Sequence, residues 1–340
     1  MTKELVFEIG TEEIPSGYMT PALRDLEAEA CRLFQEERIA FSGVRTLGTP
    51  RRLALYVEQL EETQSDRVRE VVGPAKAVAY DQEGHPTKAA IGFARAQGLP
   101  VETLQVRALD RGEYVVAAIE ERGAHLDELL PILLPRLVAS LSFPKFMRWG
   151  QGSFRFVRPI RWLLALYGGR MIPFEIDGVK SGNKTYGHRF LSRGQIRVRS
   201  FQDYMEKLEE RYVIVDQSRR RDLVVKLAEE AAAEVGGKPV LDDDLVEGVT
   251  YLVEYPNVVC GGFELEYLSL PRDVIMTPMR KHQRYFPVVD HAGQLLPHFV
   301  AISNMKAKEM DVIRVGNERV LRARLKDADF FFKEDRKIPL

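Results

Sequence analysis

Apolar and polar positions along this chain alternate in short blocks that read as strands and amphipathic helices. Leu5 to Ile9 alternates as a strand, and the stretch TEEIPSG then turns the chain. Thr20 and Pro21 form a helix start, threonine as N-cap and proline at the first helical position. Leu23, Leu26, Ala30 and Leu33 then share one face of a helix reaching about Arg38. RRLALYV, from Arg51 to Val57, reads as a strand whose two arginines are expected in solvent at its end. Glu61 to Glu70 is charged on both faces and is expected to be a link. Ala89 to Gln97 forms a short helix stopped by Gly98 and Pro100. Val101–Val106 and Glu113–Ile119 read as strands around the Asp110-Arg111-Gly112 turn. A helix from Asp127 to Ser140 contains Pro135, which should kink it or delay its start. SFRFVR and IRWLLALY read as strands, and Gly168-Gly169 makes a hairpin turn into Met171–Ile176.

In the later part, Asp216 caps a helix that ends at Gly236-Gly237 and turns Leu223, Leu227 and Ala231 inward. Asp242 opens a short helix to Val253, and Val258–Cys260 follows as a strand. Pro271 starts a helix carrying Arg280 and Lys281 near its end, where cations suit the helix dipole. Arg284–Val289 and Leu296–Ile302 are strands joined by the DHAGQ turn, after which SNMKAK closes the unit. Met310 to about Lys333 is helical, with Val320, Leu325, Ala328 and Phe332 near one side. Phe330, Phe331 and Phe332 exceed what one stripe can bury and are expected to dock on another module. Strands come in hairpins as often as they alternate with helices. The expected class is therefore α+β, with mixed and antiparallel sheets, packed helices and more than one domain. The expected division is 1–142, 143–308, and an exit helix over 309–340.

Charge narrows the function classes. The 340 residues carry 49 Lys and Arg against 50 Asp and Glu. Any nucleic-acid contact must therefore come from a local patch rather than from a uniformly basic surface. Such a patch is visible from Phe143 to Trp162, FPKFMRWGQGSFRFVRPIRW, with Lys145, Arg148, Arg155, Arg158 and Arg161 among six aromatic rings including Trp149. No carboxylate occurs from Leu129 to Phe174, and none from Gly178 to Gln202, a run that carries Lys184 and Arg189. Cations interleaved with rings suit a surface that grips phosphates and stacks on a base. The competing reading is a half-buried strand pair with aromatic core residues and arginines paired elsewhere. Arg219, Arg220 and Arg221 oppose the dipole of the first turn they occupy. Either an anion binds there, or they pair with Glu209 and Glu210 or are simply solvated.

Other chemistry finds little support. Cys31 and Cys260 have no metal-ligand spacing and are expected reduced and buried, as in a cytosolic protein. Glu8, Glu12 and Glu13 lack neighbouring His or Asp ligands, and His282, His291 and His298 are irregularly spaced, so no metal site is expected. His188, between Gly187 and Arg189, reads as a hydrogen-bonding structural residue with no nucleophile paired to it. MTKELVFEIG is a strand pattern rather than a signal sequence, and no run of about 18 apolar residues could span a membrane, so a cytoplasmic location is expected. P-loop, dinucleotide, HIGH and KMSKS motifs are absent.

The words FEIGTEEIP, TPRRLAL, FPKFMRWG, FVRPIRW, YGHRF, VEYP, HQRYFPV, FVAISN and GNERVLRARLKDADFFFKEDR span the chain in order. Together they resemble the beta subunit of the bacterial heterotetrameric glycyl-tRNA synthetase. That resemblance implies the N-terminal half of a longer subunit, whose HD-type and anticodon-binding modules would follow. Part of a module like the B3/B4 domain of the phenylalanyl enzyme would lie here, discontinuous or not. It further implies an α2β2 ligase in which the alpha subunit holds the class II core with ATP and Mg, leaving no cofactor and no catalytic residue in this part. The partners implied are that alpha subunit and tRNA(Gly). The candidate tRNA contacts are Lys145, Arg148, Trp149, Arg155, Arg158, Arg161, Lys184, Arg189, Arg219, Arg220, Arg221, Arg280 and Lys281. Two alternatives stand beside tRNA binding: a hydrolytic editing site, or a scaffold joining alpha to the distal modules.

Overall fold

A computed structural model of the chain describes residues 2–110, 112–305 and 310–337. The middle of the Asp110–Gly112 turn and the unit end expected at residues 306–308 lie outside the described residues. Two compact units emerge: one from residues 34–40 and 61–129, the other from 2–33, 41–60 and 130 onward.

The larger unit is built on a seven-stranded sheet. Its order is Phe41–Thr49, Arg52–Glu61, Thr2–Thr11, Ile160–Tyr167, Val179–Gly182 and Glu175–Ile176, with Arg170–Met171 paired to Ile160–Tyr167. Thr2–Thr11 runs antiparallel to Ile160–Tyr167, from Leu5 opposite Tyr167 to Thr11 opposite Ile160, while Val179–Gly182 runs parallel to the latter strand. The sheet is thus mixed, and the division expected at residue 142 falls between two of its central strands. Both strands are buried almost continuously rather than in alternation, as expected where both faces are covered. The helix Phe201–Glu210 and the strand Gln195–Arg197 cover one face, packing Tyr204, Leu208 and Ile196 on Val6, Leu164 and Leu166.

A four-stranded sheet in the same unit has the order Lys238–Pro239, Phe286–Val289, Leu295–Ser303, Asn257–Gly262. The helix Gln217–Glu234 packs on it, capped by the Asp216 carboxylate, which accepts from the Ser218 and Arg219 amides. Its buried residues are Arg220, Val224, Ala228, Ala231 and Ala232, so Ala231 turns inward as expected while Leu223 and Leu227 are only half-buried. A separate cluster around Phe299 takes Leu321 and Leu325 from the helix Met310–Asp335. Phe332 packs partly against that cluster, whereas Phe330 and Phe331 are exposed and touch each other edge-on.

The smaller unit is a three-stranded antiparallel sheet, Arg67–Ala75, Gly112–Glu121, Gln105–Leu109, with the helices Lys76–Ala79 and Lys88–Ala96. Its core is mostly small: Ala79, Ala90, Ala94, Leu104, Val115 and Ala117. The charged stretch expected as a link leads into an edge strand. Its charges are matched across the sheet by Arg69–Glu121 at 2.9 Å and Glu70–Arg107 at 2.7 Å, so polarity on both faces did not forbid pairing.

Three further expectations shift. Thr20 lies inside the helix Met19–Glu36, so its hydroxyl donates to Glu247 at 2.7 Å instead of capping. The helix Leu126–Ser140 runs through Pro131 and Pro135. Each proline forfeits a backbone bond, and the buried Leu130, Leu133, Leu134 and Leu137 supply the apolar contact that offsets it. SFRFVR forms no strand; a single bridge joins Phe156 to Met147.

Candidate nucleic-acid interface

The basic-aromatic stretch is an open loop pinned at its waist. Met147 and Phe156 exchange backbone bonds of 2.9 and 3.2 Å, and Gly150 takes the left-handed conformation that reverses the chain. Phe143 and Phe156 are buried with ring centroids 5.0 Å apart, and Trp149 meets Phe154 edge-on at 6.3 Å. The rings therefore anchor the loop while Lys145, Arg148 and Arg155 stand in solvent. The Arg155 guanidinium lies 5.8 Å from the centre of the exposed Phe146 ring. The Asp177 carboxylate reaches the loop from outside and abuts Gly152, where any Cβ would collide with it.

Arg158 does not belong with these cations. It is half-buried and donates to the carbonyls of Glu13 at 2.9 Å and Val157 at 3.0 Å, which makes it a brace for the loop. Arg161 and Arg189 share Glu12, at 3.4 and 3.2 Å, though both remain exposed. The two competing sequence readings thus each hold for part of the stretch.

Beside Arg161 a cleft of about 520 Å³ opens between the strands Ile160–Tyr167 and Val179–Gly182 and the hairpin Lys184–Tyr186, Gln195–Arg197. Arg161, Lys180 and Lys184 stand on its walls, Trp162 and Tyr186 present rings 5.0 Å apart, and no carboxylate lines it. Gln195 donates its amide to the Tyr186 hydroxyl at 2.8 Å. The fold brings cations from both acid-free runs to the same concavity, Arg161 from the first and Lys180 and Lys184 from the second.

Beneath this surface lies a buried polar network. Glu8, fully buried in the central strand, accepts from the Trp162 indole, the Thr185 hydroxyl at 2.5 Å and the Tyr204 hydroxyl. Arg52 is also fully buried, 3.1 Å from Glu254 and donating to the Tyr186 carbonyl at 3.1 Å. Glu254 accepts from the Thr49 hydroxyl at 2.8 Å, and Arg51 lies 3.9 Å away. The expectation of two solvent arginines is corrected: both sit against the Trp162 ring, with cations 5.4 and 5.7 Å from its centre. Burial pulls the Arg52 guanidinium down, but Glu254 and Glu8 outweigh it and hold it above its ordinary value. His188 is buried and hydrogen-bonded through both ring nitrogens. Its Nδ1 accepts from the Phe190 and Leu191 amides, so Nε2 carries the proton toward Asn304 Oδ1 at 3.0 Å.

Burial first, and Glu8 second, push the Tyr204 hydroxyl well above its ordinary value of 10.0. A tyrosine raised on folding contributes stability that is whole below pH 10.0 and declines as the unfolded hydroxyl ionises above it. Tyr204→Phe should cost about 1–3 kcal/mol at neutral pH by removing a buried bond. It should also flatten the fall in urea midpoint above pH 10.0. An unchanged alkaline profile would remove Tyr204 as its source.

The remaining candidates separate by pairing. Arg220 is fully buried and donates to the carbonyls of Gly48 at 2.7 Å, Ile214 at 2.6 Å and Thr250 at 2.9 Å. Burial lowers its pKa to about 10, and it cannot reach a phosphate, which corrects its place among the contacts. Arg219 forks onto Glu209 at 2.5 and 2.6 Å and Arg221 meets Asp243 at 2.7 Å, while Asp216 already occupies the helix start. Arg219 thus has the expected partner Glu209, whereas Arg221 pairs with Asp243 rather than Glu210. Arg280 pairs with Asp242 in a cleft that Lys281 shares with Asp244 and Asp273, a mixed-sign surface rather than a phosphate grip. Among the described residues no group of three or more His, Cys, Asp or Glu could hold a metal ion, and no helix is long and apolar enough to cross a membrane.

Comparison with known proteins covers the whole chain. The family model described as glycyl-tRNA synthetase beta subunit matches residues 5–340. Three curated relatives named glycine–tRNA ligase beta subunit align over 340 residues, 100% of this chain and 49% of each relative. They come from Moorella thermoacetica at 51% identity, Desulforudis audaxviator at 50% and Syntrophus aciditrophicus at 48%. The chain spans about half the length of the curated relatives it matches.

Proposed function

Because this chain belongs to the glycyl-tRNA synthetase beta subunit family, we propose that it grips tRNA(Gly) and helps assemble an α2β2 glycine–tRNA ligase. Glycine activation with ATP and Mg falls to the alpha subunit, and the HD-type and anticodon-binding modules follow this part of the chain. The division is physically reasonable: glycyl adenylate needs a small preformed pocket, whereas a long tRNA needs a separate extended surface. The observation that carries the reading is the cleft holding Arg161, Lys180 and Lys184 with no carboxylate on its walls, in a chain of net charge −1. Exposed Lys145, Arg148 and Arg155 add phosphate contacts from the neighbouring sequence.

Hydrolytic editing has less support at this cleft. Its walls carry cations, amides and rings but no Asp, Glu, His, Ser or Cys that could activate a water. A scaffold role would leave these cations without RNA to meet. Titrating tRNA(Gly) onto the chain across a range of salt separates the readings. Phosphate grip gives log affinity falling with log salt, by somewhat less than one unit per contact; a flat line, or no binding at low salt, favours the scaffold.

A further inference from the structure

We propose that the Trp162–Tyr186 cleft seats a single unpaired RNA nucleotide, its base against Tyr186 and its phosphate between Lys180, Lys184 and Arg161. The inference rests on the tRNA-binding reading and narrows it from a charged surface to a site for one unstacked residue.

Shape points first to single strands. Double-stranded RNA is met over a broad surface by shape and backbone contacts, whereas a splayed base enters a concavity and stacks on a ring. At about 520 Å³ the cleft is of the second kind. Trp162 forms its back wall rather than its platform, because that ring is buried and its N–H is spent on Glu8. Tyr186 is the half-buried ring, and it is held in place from three sides. Trp162 lies against it, Gln195 donates to its hydroxyl at 2.8 Å, and buried Arg52 donates to its carbonyl at 3.1 Å. A platform fixed before binding loses little freedom when a base stacks on it.

The walls supply the rest of a nucleotide's needs. Lys180 and Lys184 are exposed cations for a phosphate. Asn183 offers an amide, and Gln195, having donated to Tyr186, keeps its carbonyl oxygen for a base donor. Gly182 gives an independent sign. It sits at the end of a sheet strand, where glycine weakens pairing, and its φ is not in the left-handed region. A Cβ there would meet nothing closer than the Lys184 amide nitrogen at 4.0 Å. Neither the backbone nor crowding calls for glycine at this position; what its missing side chain leaves is open space in the cleft wall.

The test uses the 340-residue chain with three probes: tRNA(Gly), a single-stranded oligouridine carrying one 2-aminopurine, and a blunt RNA duplex of equal length. Gly182→Leu fills the cleft without changing charge. Its single-strand affinity should fall about tenfold or more, with the salt slope and the duplex affinity unchanged and the 2-aminopurine signal lost. If that variant melts early, Lys180→Gln with Lys184→Gln replaces it. That pair should melt normally and lower the single-strand salt slope by about one to two units. A stable Gly182→Leu chain that binds the single strand within twofold of the parent overturns the inference, and tRNA binding with a normal slope would then leave the broader reading intact. Absence of any tRNA binding by the parent at low salt would overturn both.

Discussion

Arg52→Met should lower the unfolding free energy of the larger unit by about 3–5 kcal/mol, the largest stability effect expected from one substitution in the chain. Methionine keeps much of the volume but leaves Glu254 buried without its cation and the Tyr186 carbonyl without its donor. Arg51 cannot take over at full strength, since its nearest nitrogen stands 3.9 Å from the carboxylate. Adding Glu254→Gln should recover a good part of the loss, because the neutral amide keeps a bond to Thr49 while the stranded charge disappears. Both tryptophans, Trp149 and Trp162, lie in the larger unit, so their fluorescence in a urea titration reports its unfolding specifically. A loss under 1 kcal/mol would mean that water or Arg51 neutralises Glu254 and that the pair does not hold these strands together.

That buried pair also marks where sequence reading stops. The central strand Ile160–Tyr167 and the caps at Asp216 and Asp242 were legible because their signals are local: an apolar run, and a carboxylate just before a helix. The α+β class followed from the same local signals. Arg52 and Arg220 were read as surface cations, as arginine usually is, because what buries them comes from distant segments. Glu254 reaches Arg52 across the fold, and Gly48 supplies a carbonyl to Arg220. The edge strand Arg67–Ala75 was missed for a related reason, since its charges are satisfied only once Glu121 and Arg107 lie beside it. Acid-free windows did find Arg161 and Lys184, which meet in one cleft. The same logic could not tell that Arg219, Arg221 and Arg280 have carboxylates from other segments waiting for them, nor that Glu12 lies beside Arg161 and Arg189. Tyr186 and Gly182, which give the cleft its platform and its space, carry no charge and left no signal in a search for cations.

The exposed loop gives the largest effect expected on binding. Replacing Lys145, Arg148 and Arg155 together with glutamine should flatten the dependence of log tRNA affinity on log salt by about two to three units, at 0.7–0.9 per lost phosphate contact. Between 50 and 200 mM salt, the parent should therefore lose about 15–40-fold more affinity than the variant. Folding should survive, because all three side chains stand in solvent and the loop is anchored by Phe143, Phe156 and the Met147–Phe156 bridge. Arg158→Gln is the control that a count of charges would get wrong. It removes the same charge from the same loop, yet its cost should appear in the melting curve, through the Glu13 and Val157 carbonyls, and not in the salt slope. Should the triple variant melt normally and keep the parent's slope, the loop is not a phosphate contact. Should Arg158→Gln flatten the slope by as much as one of the three, exposure has failed to separate the binding cations from the bracing one. The cleft, with cations drawn from two acid-free runs, would then have to carry the RNA assignment alone.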